Sequence, residues 1–231
     1  MYLDQLPDLS RARLVRTRSR GVAIRDGGRA VAVAFVADGS LLPADTLVRF
    51  DVTEGEDVSR RLADALATTG ARSLWFYGGD APARRAAAEL DLVVRPVGAV
   101  FVHRMDAARS ERVTFRPPSL RDRETLAELE HDHAPAFKAP QTEIAEMHGE
   151  ALGTVLTEPL DQRWTELRAV VYAPYRGNGY GSALFAAAAD RLEAMGRRVC
   201  AAIETMAGRE RSALEGAGFR IADYYFIAAK R

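Results

Sequence analysis

Apolar and polar positions alternate in short runs that are broken at intervals by Ala-rich stretches of helical period, the pattern of a chain that interleaves strands with helices. In the first hundred residues, Gly21 to Val36 reads as a hairpin turning at Gly27-Gly28, Thr46 to Val52 as a strand, and Val58 to Thr68 as a helix. A strand Ser73 to Tyr77, a helix Ala81 to Leu90 and a strand Val97 to Met105 follow. The segment DAARSERVTFRPP, residues 106–118, opens polar and stops at a Pro pair, as a linker entering a new strand does, and predicts a boundary near residue 110. Beyond it the pattern predicts strand Arg112 to Arg116 and helix Ser119 to His131, with Ser119 as N-cap. A hairpin Thr142 to Met147 and Ala151 to Thr157 turns through His148-Gly149-Glu150. Strand Leu167 to Ala173, a Gly-rich loop, helix Ser182 to Met195, strand Val199 to Glu204, helix Gly208 to Glu215 and strand Ile221 to Ala229 complete the order. The fold class expected is α/β, a mixed α+β arrangement of a central sheet flanked by helices.

The two halves repeat this order. Gly28 aligns with Gly149, Leu47 with Leu167 and Gly70 with Gly196, with one length difference between them. That difference falls on the Gly-rich loop and the first turn of its helix, which the first half lacks. Two modules are therefore expected, residues 1–110 and 111–231.

The 231 residues carry 32 basic and 32 acidic side chains, so the net charge is zero, and 48% of positions are apolar. This balance argues against nucleic acid or an anionic membrane as the main partner. One cysteine, Cys200, cannot close an intrachain disulfide, and the four histidines show no metal-ligand spacing, so no metal is expected. The N-terminus has acids and Pro where a signal peptide needs a basic and then an apolar run. A cytoplasmic protein is the expectation.

The sharpest local feature is Arg176-Gly177-Asn178-Gly179-Tyr180-Gly181-Ser182, between the strand residues AVVYAP and the helix SALFAAAADRLEAM. Glycines at alternate positions permit positive φ and close approach of backbone amides. At a helix N-terminus those amides are unsatisfied and the macrodipole is positive, which suits a phosphate or pyrophosphate. Arg176 adds a charge-assisted donor. A P-loop is excluded because no Lys is present. A dinucleotide fingerprint fits poorly, since Ser182 takes its third glycine position and Pro174-Tyr175-Arg176 intervenes after the strand.

The run Arg176-Gly177-Asn178-Gly179-Tyr180-Gly181 resembles the Q/R-x-x-G-x-G/A signature of the GNAT superfamily, the acyl-CoA-dependent N-acetyltransferases. The order of elements over residues 112–231 and the later Ala217-Gly218-Phe219 are similar too. The resemblance implies acetyl-CoA as acyl donor, with its pyrophosphate on loop residues Arg176, Gly177, Asn178, Gly179, Tyr180, Gly181 and Ser182. The pantetheine arm would run along Val170, Val171 and Tyr172, on a strand that splays from its neighbour in this family. It implies direct transfer of the acetyl group to a small amine or protein amine in a ternary complex.

Such transfer needs a neutral amine, a stabilised oxyanion and a proton for the leaving thiolate. Glu166, on the strand leading to the loop, and Glu204, ending the next strand, are the candidate bases. Each is equally read as a strand-end acid. Leu214 stands where many relatives carry a Tyr acid, and Tyr224 is the candidate replacement. A non-catalytic acyl-CoA-binding or protein-interaction module is the alternative. Cys200 reads as a buried small hydrophobe, and His131 and His133 as surface residues near the acceptor region. In the first half, Asp51-Val52-Thr53-Glu54-Gly55-Glu56-Asp57 sets four acids at the place of the loop, so that half is expected to be a degenerate, truncated GNAT-like module without the nucleotide. An exposed sheet edge in either half leaves a homodimer open.

Overall fold

A computed structural model describes residues 19–39, 43–104, 113–122, 126, 142–203 and 208–230. They fall into two compact units, Met1–Gly98 with Asp223–Arg231, and Ala99–Ala222. The units divide at 98/99 and residues 223–231 return to the first, while the boundary expected at 110/111 lies outside the described residues. No described helix is long and apolar enough to cross a membrane.

The first unit holds β1 (Ser19–Asp26), β2 (Arg29–Ala37), β3 (Thr46–Val52), α1 (Val58–Thr69), β4 (Ser73–Tyr77) and α2 (Ala81–Glu89). The β1–β2 turn is built on Gly27 and Gly28 with φ of +56° and +85°, the two positive values that a tight hairpin requires. β3 pairs parallel with β4 through Thr46 and Leu47 against Ser73 and Leu74. α1 is held at its start by the Asp57 carboxylate, which accepts from the amides of Ser59 and Arg60, and ends on Gly70 in the left-handed region. It buries Leu62, Ala65 and Leu66 against the strands, where each leucine contributes roughly 1.5–3 kcal/mol relative to exposure.

β5 (Val93–His103) runs from the first unit into the second. The second unit continues with β6 (Thr114–Arg116), β7 (Thr142–Met147), β8 (Glu150–Pro159), β9 (Trp164–Val171), α3 (Tyr180–Ala194), β10 (Arg198–Ile203) and α4 (Gly208–Gly216). β11 (Phe219–Ala229) then leads back into the first unit. The β7–β8 turn repeats the first hairpin with His148 and Gly149 at φ +54° and +82°. Within the second unit the pairing order is β5-β10-β9-β8-β7-β6, with β9–β10 parallel and the others antiparallel.

Ala186 to Ala189 of α3 are small enough to bring the helix close to the strands, and Leu184, Phe185, Leu192, Val155, Leu167, Val199, Ile203 and Phe219 fill the core between them. Gly153 in β8 is required here, since a Cβ would stand 2.3 Å from the Val170 carbonyl oxygen and 2.8 Å from Leu184 Cδ2. The terminal strands are exchanged: Ala99 to Val102 of β5 pair with β10, while Tyr225 to Ala229 of β11 pair with β4. Of the expected helix 119–131, the described part is a 3₁₀ turn at Leu120–Asp122. Leu126 is also described and helical, and the remaining residues of that stretch beyond Asp122 lie outside the described residues.

Candidate functional site

β9 is paired along its length with β8, from Thr165 against Pro159 to Val171 against Gly153. Its pairing with β10 is short, covering Trp164, Thr165 and Glu166 against Arg198, Val199 and Cys200. Beyond that rung the strands part. Among the described residues the β9–β10 ladder ends at the Glu166–Cys200 rung, while β9 stays paired with β8 as far as Val171.

The chain leaves β9 at Tyr172, whose amide bonds the Leu152 carbonyl at 2.9 Å, and makes a 3₁₀ turn over Ala173–Tyr175. Arg176 Nε donates to the Val171 carbonyl at 2.9 Å, tying the loop back to the strand end. Residues 176–179 are exposed. Gly177 and Gly179 have φ of +88° and +80°, and a Cβ on either would meet nothing within 4 Å. Backbone conformation, not crowding, requires glycine at these two positions.

Gly181 is different. Its φ is helical, and a Cβ there would lie 3.2 Å from Ala213 Cβ, so this glycine lets α4 pack beside α3. Ser182 likewise faces α4, at 2.7 Å from a Cβ placed on Gly216. Of the three alternate glycines, two shape the loop and one joins two helices.

Gly179 is the N-cap of α3, and no side chain caps this end, nor does its first turn contain an acid. The Ser182 amide turns back to the Gly179 carbonyl at 3.1 Å. The exposed residues before it thus present an uncapped helix start with its positive partial charge outward. Tyr180 sits edge-on to Tyr175 with ring centres 6.0 Å apart, and the Tyr175 hydroxyl donates to Glu150 at 3.1 Å. That carboxylate pushes the Tyr175 phenol above its ordinary value.

Glu166 lies on the last rung before the strands part, opposite Cys200, and is 2% exposed. Strand alternation puts it on the face shared by Arg168, Val170 and Tyr172, away from Leu167 and the α3 core. Val170 and Val171 are half-buried at the open end of the fork. Tyr172 is buried, its hydroxyl 3.0 Å from Thr154 Oγ1, and burial pushes its phenol up.

A network unforeseen from the sequence stands near Tyr172. Arg116 of β6 holds Asp122 through both carboxylate oxygens at 2.7 Å and Glu146 at 2.6 Å. The guanidinium keeps Asp122 well below the ordinary carboxylate range. Ser119, the expected N-cap, stands directly before the 3₁₀ turn and donates its amide and hydroxyl to Asp122. The available signal was the spacing of Arg116, Ser119 and Asp122.

The structure brings together Glu166, Val170, Val171, Tyr172 and the loop Arg176 to Ser182 within one unit. Tyr224 belongs to the other unit, 38% exposed, its amide donating to the Asp223 carboxylate at 2.7 Å. Glu204, His131 and His133 lie outside the described residues. Leu214 is fully buried in the core, so α4 supplies no hydroxyl at that position. Cys200 is buried too, as expected of a small hydrophobe.

Residues 104–214 match the model of the acetyltransferase (GNAT) family. An acetyltransferase of the GNAT family from Colwellia psychrerythraea superposes with a TM-score of 0.76 at 10% identity, covering 100% of this chain and 93% of that one. A tandem GNAT protein from the clavulanic acid biosynthesis pathway, solved without AcCoA, gives 0.61 at 16% identity, with 96% and 87% covered. A GCN5-related N-acetyltransferase from Kribbella flavida gives 0.59 at 15%, with 96% and 94% covered. No curated protein matches the sequence.

Proposed function

With residues 104–214 forming a domain of the acetyltransferase (GNAT) family, we propose that this protein transfers an acetyl group from acetyl-CoA directly to an amine. The observation that carries the reading is the conjunction of an exposed, uncapped start of α3 with the fork between β9 and β10 immediately before it in the chain. The loop amides and Arg176 suit the pyrophosphate. The edge of β9 beyond its last rung with β10 suits the amide-bearing pantetheine, which pairs as a strand would.

In this reading Glu166, at the root of the fork, takes the proton of the incoming ammonium. The neutral amine attacks the thioester carbonyl, a C–N bond forms, and collapse of the tetrahedral intermediate breaks the C–S bond. The thiolate of CoA leaves and takes up a proton, giving the N-acetyl amine and free CoA. A reducing, cytoplasmic setting fits the single buried thiol.

A second reading has its own observation. Leu214 is fully buried where relatives place a hydroxyl, which favours a module that binds acyl-CoA without turning it over.

Calorimetry with acetyl-CoA tests what both readings share, and absence of binding removes both. A thiol-release assay over a panel of small amines and peptides then separates them. Glu166→Gln is expected to lower turnover about a hundredfold or more with little change in acetyl-CoA affinity. An unchanged rate removes Glu166 as base.

A further inference from the structure

At the far end of α3 from the loop, three ligand-type side chains converge. His103 ends β5, and Asp190 and Glu193 occupy the last turn of the helix, three residues apart and so on one face. A nitrogen of His103 and one carboxylate oxygen from each acid lie within 4.8 Å of one another. We propose that His103, Asp190 and Glu193 form a binding site for one divalent cation of the zinc type, stapling the end of β5 to the C-terminal turn of α3.

Charge is the first argument. Two carboxylates stand at the negative end of a helix dipole, where cations are favoured. Among the described residues no arginine or lysine pairs with either acid. Arg191, between them in sequence, is turned to Glu143 and stacks over Phe115. A neutral imidazole with two carboxylates carries a charge of −2, which a divalent ion cancels.

Burial is the second. The His103 side chain is 1% exposed, with its ring 4.9 Å from Phe219. Its Nε2 is buried and meets no hydrogen-bond partner, while Nδ1 points at Glu193 Oε1 at 2.9 Å. The one nitrogen of this ring that has polar company is therefore the one aimed into the acidic pair. Nδ1 would ligate in the tautomer that carries the ring proton on Nε2, so the imidazole stays neutral when the metal binds.

Ligand chemistry selects the class of ion. One imidazole nitrogen and two carboxylate oxygens, with water as fourth ligand, make a tetrahedral zinc set, and small side-chain rotations close 4.8 Å to the ~3.4 Å between ligands on such an ion. Calcium, which takes six to eight oxygens, does not fit. The role is structural: ten residues of helix, about 15 Å, separate Asp190 from the exposed loop.

The test uses the untagged full chain after EDTA treatment, titrated with Zn²⁺ by calorimetry and followed by thermal melting, with Ca²⁺ as control. One Zn²⁺ per chain, a rise in Tm of several degrees reversed by EDTA, and no response to Ca²⁺ are expected. Asp190→Asn and Glu193→Gln, isosteric changes at half-buried positions, should each weaken Zn²⁺ binding at least tenfold. Absence of stoichiometric binding overturns the site, as does Zn²⁺ affinity unchanged in both variants, which would send the ion elsewhere in the chain. Acetyl-CoA affinity, measured on the same samples, should stay constant, so loss of the cation site and loss of the proposed transferase reading give separate results.

Discussion

The two units each contain a strand that leads through a short turn into a helix, and they finish that turn in opposite ways. Between β3 and α1 the helix start is closed from within: Asp57 caps it with its own carboxylate, and Glu56 is drawn in by Arg61, which also bonds Asp26 and Asp64. Between β9 and α3 the cap residue is Gly179, which has no side chain to offer. A helix start that satisfies its own amides has nothing left for a phosphate, whereas one capped by glycine keeps its donors for a ligand. In the proposed reading, acetyl-CoA binding depends on a glycine cap together with the absence of acids in the turn before it.

The largest effect should come from making the second turn like the first. Gly179→Asp would place a carboxylate at the amides of α3, with positive φ that Asp tolerates at a cost of roughly 1 kcal/mol. Acetyl-CoA affinity is expected to fall about a hundredfold by like-charge repulsion, checked by calorimetry with circular dichroism for the fold. Retained affinity breaks the comparison.

The reciprocal change should be smaller and of another kind. Asp57→Ala removes the α1 cap and is expected to cost about 1 kcal/mol in urea unfolding while leaving acetyl-CoA affinity unaltered. Asp57→Gly should not create a second nucleotide site, because Glu54 and Glu56 remain, and a stoichiometry of two in calorimetry would contradict this.

The smallest effect is confined to acid. Arg61 in the first unit and Arg116 in the second each hold carboxylates below their ordinary range, Asp26 and Asp122 respectively. Their folded values lie under the unfolded value of 3.8, so the unfolded chain takes up protons first as pH falls. The stability these pairs contribute is complete above that value and is lost progressively below it. Asp122 is buried and Asp26 is half-exposed, so Asp122→Asn should flatten the acid limb of a Tm-against-pH curve more than Asp26→Asn does.

What was legible in the sequence follows from the range of the physics involved. β3 and β4 have the expected limits because alternation and their flanking turn residues are local signals. The loop was legible because positive φ is encoded by glycine at the residue itself. Gly181 misled, since its use depends on the approach of α4, a contact that no neighbour in sequence announces. Asp57 was read as one of four repelling acids, yet its carboxylate also closes the helix. Strand exchange left no local trace, because Val102 and Ala228 read equally well as core of either unit. The boundary expected near residue 110 was placed by composition and falls outside the described residues.

That exchange imposes an order on biosynthesis. The first unit takes its fifth strand from Tyr225 to Ala229, which leave the ribosome long after β4. A nascent N-terminal half must wait for β11 to be made before β4 gains that neighbour, and a gene fragment ending at residue 98 encodes a sheet missing one of its members. The halves repeat the same plan, but neither is separable by cutting the chain once.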